Sequence, residues 1–76
     1  MRQRIHYHVV HRSGEWHVVK RPGNVREGRF RDKSDAVDLG RHLAMSETVA
    51  DLRVSKLDGS VQSEVTFGKN PQEIEG

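Results

Sequence analysis

In two runs on either side of Ser13-Gly14, large apolar side chains recur at every second position. Ile5, Tyr7 and Val9 interleave with His6, His8 and Val10, and beyond Ser13-Gly14 the alternation resumes as Trp16 and Val18 against His17 and Val19. A period of two puts every second side chain on one face of a strand, so the pattern predicts a β-hairpin turning at Ser13-Gly14. That turn sets Val9 opposite Val18 and His11 opposite Trp16, with Ile5, Tyr7, Val9, Trp16 and Val18 on the inner face. Pro22-Gly23-Asn24 breaks the chain. A shorter third strand is expected over residues 26–31, with Phe30 its large apolar residue and Gly28 marking a bulge.

The period then lengthens. Ala36, Leu39, Gly40, Leu43 and Ala44 recur at helical spacing as one narrow, small-sided stripe, while Asp38, Arg41, His42 and Ser46 point away. Asp32 is the expected N-cap, with Asp35 in the capping-box position. Gly40 costs about 1 kcal/mol of helix propensity relative to Ala, which close packing on a sheet would justify.

A second hairpin follows. Asp58-Gly59 favours a two-residue primed turn, in which both central residues take positive φ. Turning there places Leu52 opposite Val65, Val54 opposite Ser63, Lys56 opposite Val61 and Ala50 opposite Phe67 on an inner face. Arg53 meets Glu64, Ser55 meets Gln62 and Asp51 meets Thr66 on an outer one. The expected architecture is α+β: an antiparallel sheet packed by one α-helix, in the order β-β-β-α-β-β, with the last hairpin either extending that sheet or pairing with another chain. Ile5, Val9, Trp16, Val18, Phe30, Leu39, Leu43, Leu52, Val54, Val65 and Phe67 form the expected core. Residues 1–67 read as one compact domain and residues 68–76 as a polar, loosely ordered tail.

Composition narrows the class. The chain has 76 residues, 33% hydrophobic and 32% charged, and no cysteine. A core this thin without disulfides suits the cytosol better than a secreted setting. No apolar run approaches the length of a bilayer span, and no membrane association is expected. The net charge of +2 hides a split: residues 1–33 carry nine Lys or Arg against three Asp or Glu, whereas residues 34–76 carry four against eight. Such asymmetry speaks to partners rather than to fold.

Candidate chemistry is sparse. His6, His8 and His17 share the outward face of the first hairpin, where imidazoles at this spacing could converge on Zn²⁺, Ni²⁺ or Cu²⁺. Three solvated histidines are the better expectation, because no acidic residue on that face offers a further ligand. No serine sits in a nucleophile-elbow context, Asp35 and Asp38 complement the helix dipole, and no glycine pattern cradles a phosphate. The chain reads as a non-enzyme with no cofactor and no evident small-molecule substrate.

Two partner readings remain. The first is a protein-interaction or self-associating module, a homo-oligomer or a partner of another protein, with Val10, His17 and Val19 as its semi-apolar surface. The second is nucleic-acid binding by the basic N-terminal sheet through Arg21, Arg26, Arg29, Arg31 and Lys33, with Arg2, Arg4 and Arg12 on the first hairpin. The lack of interleaved aromatics argues against stacking on single strands.

An ordered series of residues also carries a family resemblance. Trp16 with Lys20, then Gly23, Arg26, the helix start Asp32-Lys33-Ser34-Asp35-Ala36, Leu52-Arg53-Val54 leading into Asp58-Gly59-Ser60-Val61, and Gly68-Lys69-Asn70-Pro71 resemble the short bacterial domain of unknown function 2188. The likeness runs from about Tyr7 to Pro71. It implies a compact soluble domain and brings no catalytic residue or cofactor with it.

Overall fold

The computed structural model describes residues 4–68. Five strands and one helix follow in order: β1 (Ile5–Arg12), β2 (Glu15–Arg21), β3 (Val25–Phe30), α1 (Lys33–Met45), β4 (Val49–Ser55) and β5 (Val61–Gly68). Gly68, expected to open the tail, ends β5; the rest of that segment and Arg2 lie outside the described residues.

β1 and β2 pair antiparallel in the expected register, Val9 with Val18 and His11 with Trp16. Ser13 and Gly14 both take positive φ, 52° and 78°, the conformation of a primed turn. The Asp58-Gly59 turn is different. There only Gly59 has positive φ, 93°, and its N–H donates to the Lys56 carbonyl at 3.0 Å. Lys56 N–H donates to the Ser60 carbonyl at 2.7 Å, enclosing a loop of Leu57, Asp58 and Gly59. The Asp58 carboxylate accepts from Ser60 N–H and Oγ at 2.9 and 2.7 Å, fixing the turn by a local side-chain bond. A bulge between Val54 and Ser55 absorbs the extra loop residue. Ser55 therefore pairs with Val61 rather than Gln62, while the pairs from Ala50–Phe67 to Val54–Ser63 stand as expected.

The sheet is mixed, which corrects the antiparallel expectation. Its spatial order is β3-β2-β1-β4-β5, and β1 pairs with β4 in parallel. The cause is the helical crossover. β3 runs parallel to β1 because two antiparallel steps separate them, and α1 carries the chain back along the sheet. β4 then starts at the same end as β1 and fills its open side.

The helix lies on the inner face over β1 and β4. Ala36, Gly40 and Ala44 are buried against Tyr7, Val9, Ala50, Leu52 and Val54, with Leu39 and Leu43 half-buried at the stripe's borders. A Cβ at Gly40 would stand 2.8 Å from Leu52 Cδ1 and 3.4 Å from Val9 Cγ2, so close approach accounts for the glycine. The Asp32 side chain makes no capping bond, and the expected capping box is absent. Val65, expected in the core, is 47% exposed because β5 lies at the sheet's edge, away from the helix axis. The bulge opposite Val18 and Val19 inserts Glu27, beside the Gly28 at which it was expected. Among the described residues no helix is long and apolar enough to cross a membrane.

Candidate functional site

With the helix on one face, no described element covers the other. Cross-strand pairing arranges that open face in rows. Arg29, His17 and Val10 form one. Arg26, Val19, His8, Arg53 and Glu64 form the next, followed by Arg21, His6, Asp51 and Thr66. The outward alternation of β1 and β2 thus meets the outward residues of β4, an adjacency that neither hairpin reveals alone.

Much of the charge on this face is internally matched. Asp51, 8% exposed, holds Arg4 Nε at 3.1 Å and His6 Nδ1 at 3.0 Å, and its other oxygen accepts from Thr66 Oγ1 at 2.7 Å. Arg53 Nη2 lies 3.0 Å from Glu64 Oε2, and Arg29 Nη1 lies 3.9 Å from Glu15 Oε1. His8 is held below the ordinary imidazole range, first by burial and then by the neighbouring charges of Arg21 and Arg53.

One part of the face is different. An open groove of about 620 Å³ runs along β2, lined by Arg12, Ser13, His17, Val19, Arg21, Asn24 and Arg26. Positions 17, 19 and 21 supply its floor by strand alternation. Arg12 and Ser13 close one end at the hairpin tip, Asn24 marks the opposite turn, and Arg26 enters from β3. Its lining holds no carboxylate. Arg12, Arg21 and Arg26 make no ion pair among the described residues. His17 Nε2 and Arg21 Nε are buried there without a hydrogen-bond partner.

The fold divides the expected basic cluster. Arg21 and Arg26 meet in the groove, while Arg29 shares the face but faces Glu15. Arg31 falls beyond the end of β3. Lys33 opens α1 on the helix side, where its Nζ stands 4.9 Å from the Trp16 ring centroid and bonds to Gln62 Oε1. The expected interaction surface changes character too. Val19 is only 7% exposed, so it is groove floor rather than a contact patch, and Val10 is half-buried.

The histidines spread apart. His6 and His8 stack edge-to-face at 6.4 Å between ring centroids, and His17 occupies another row. Asp51 beside His6 corrects the expectation that this face lacks an acid; no cluster of three metal-ligating side chains occurs among the described residues. Arg12, expected among the basic residues of the first hairpin, joins Arg21 and Arg26 in the groove; the lining residues named in no expected site are Ser13 and Asn24. Arg12 was legible, since it continues the outward alternation of His6, His8 and Val10. Asn24 carried no such signal.

Residues 7–67 fit the family model described as uncharacterized protein conserved in bacteria (DUF2188). No curated protein and no solved structure matches the chain.

Proposed function

We propose, for a chain that belongs to this family of uncharacterized bacterial proteins, that the domain is a cytoplasmic, non-enzymatic module that binds nucleic acid through its open sheet face. One observation carries the reading: the face's other arginines lie within ion-pair distance of carboxylates, whereas Arg12, Arg21 and Arg26 line one groove and make no ion pair among the described residues. Arginines that line one groove and make no ion pair among the described residues favour a polyanion. Tyr7 and Trp16 are buried on the helix side. The open face therefore offers no Phe, Tyr or Trp stacking platform along the groove, and contact with phosphates rather than bases follows.

The test is a titration of a labelled DNA duplex at several salt concentrations. Three phosphate contacts give a log–log slope of about −2.7. Between 50 and 200 mM salt, affinity would then fall roughly 40-fold. Salt-independent binding, or no binding at low salt, refutes the reading.

A second reading, self-association, has its own observation. Edge strand β3 is bulged and carries Arg26, Glu27 and Arg29, devices that discourage strand addition. Edge strand β5 carries no Lys, Arg or Pro, and residues 61–66 are all exposed. Pairing of β5 with β5 of a second copy would show as a concentration-dependent solution mass, lost on Val65→Lys.

A further inference from the structure

We infer that the groove along β2 holds the sugar-phosphate backbone of one nucleic-acid strand lengthwise, gripping it at two separate anionic points. One point is the Arg12–His17 end, the other the Arg21–Asn24–Arg26 end. The inference rests on the nucleic-acid reading above and specifies how the ligand lies.

The argument starts from the two unpartnered atoms. His17 Nε2 and Arg21 Nε are the buried side-chain nitrogens or oxygens without a hydrogen-bond partner among the described residues, and both belong to residues lining this one groove. Buried polar groups are nearly always satisfied, so two orphans on side chains that line one concavity leave hydrogen-bonding capacity that a small rotation of each side chain would bring to a bound ligand. Arg Nε–H is an obligate donor, and His Nε2 donates in the tautomer that carries its proton there. Arg21 Nε therefore calls for an acceptor oxygen, and His17 Nε2 does so in that tautomer.

Their spacing sets the ligand class. His17 and Arg21 stand four residues apart on one strand, about 13 Å along its axis. Val19 lies buried between them on the groove floor. A single phosphate, with oxygens only a few ångströms apart, serves one end and leaves the other unmatched. A chain of phosphodiesters serves both. Each end has a guanidinium beside its orphan donor or carrying it, Arg12 at one and Arg21 with Arg26 at the other, and guanidinium is the side chain best shaped for phosphate oxygens. The direction of travel is fixed as well: the backbone runs along β2 rather than across the strands.

The experiment compares wild type, Arg12→Ala, Arg21→Met and the double variant in duplex binding across salt, with Arg41→Ala on the exposed side of the helix as control. Arg21→Met keeps the aliphatic stem, and circular dichroism confirms that each variant is folded. Each groove variant is expected to weaken binding several-fold and to reduce the magnitude of the salt slope by about 0.9, the double variant by about 1.8. Arg41→Ala should change neither. Inorganic phosphate, used as competitor, should displace the duplex only at concentrations where it acts as ordinary salt. If only one end responds, the two-point grip is wrong. If the duplex binds every variant as it binds wild type, the groove is not the binding surface, and both the inference and the sheet-face reading fail although nucleic-acid binding itself stands. If wild type binds no duplex, both fall.

Discussion

The contact between Gly40 and Leu52 yields a prediction whose sign reverses with its neighbour. In an open helix, Gly→Ala would stabilise by about 1 kcal/mol. At position 40 the new Cβ would stand 2.8 Å from Leu52 Cδ1, on a side chain 3% exposed and hemmed in by the core. Forcing a methyl into such packing costs roughly 1–3 kcal/mol. Gly40→Ala should therefore lose about 0–2 kcal/mol in the wild-type background. Leu52→Val removes the methyl in the way, at about 1 kcal/mol for one buried methylene. In that background Gly40→Ala should recover up to about 1 kcal/mol. The coupling energy of the cycle is then about 1–3 kcal/mol, well above the few tenths expected of independent sites. Urea unfolding followed by Trp16 emission reports it, since Trp16 is the chain's single tryptophan and is buried. If Gly40→Ala stabilises both backgrounds equally, the close approach of helix and sheet at Gly40 is refuted.

Other consequences can be checked separately. Tyr7, the single tyrosine, is buried and donates to Glu47 Oε2 at 2.7 Å; burial first, then the Glu47 bond and charge, pushes its phenol above the usual value of 10.0. The fold thus favours the neutral phenol, so this stabilisation is complete below pH 10 and fades as pH climbs toward the raised value. Phenolate absorbance near pH 10 from protein still folded would contradict the burial. His8 behaves in the opposite sense: with its pKa lowered from 6.5, its contribution is present above that pH and is lost as pH falls through the lowered value. A ring-proton titration of the folded domain should place His8 below 6.5, and a midpoint at or above it would be inconsistent with the packing. Val19→Asp should lower stability by roughly 2–4 kcal/mol, because it places a carboxylate on a buried floor. A fully stable Val19→Asp domain would show that position 19 is open.

Local patterns in the chain were enough to place the strands and the helix. Period-two alternation gave β1 and β2 with their register, and the pairs from Ala50–Phe67 to Val54–Ser63 followed from one turn. The helix stripe was readable for the same reason, since it depends on residues a few positions apart; Gly40's place on that stripe pointed to close packing, but its neighbours Leu52 and Val9 come from the sheet. Turn detail was less secure. Asp58 bonds Ser60 through its side chain, and that local preference produced a longer loop with a compensating bulge.

Neighbourhoods across the sheet were decided only by the tertiary structure. An outward alternation has the same appearance whichever strand lies beside it, so nothing local announces that β4 fills the side of β1 left open by β2. That parallel pairing brings Asp51 to His6 and leaves Val65 at an edge. Charge was equally ambiguous along the chain. Arg21, Arg26, Arg29, Arg31 and Lys33 read as one basic run, yet strand phase and the turn into the helix send Lys33 to the helix side and Arg29 toward Glu15. Composition counts charges, but only the fold determines which of them keep a carboxylate for company. Arg12, Arg21 and Arg26 share a groove without one because three strands bring them there from separate stretches of sequence.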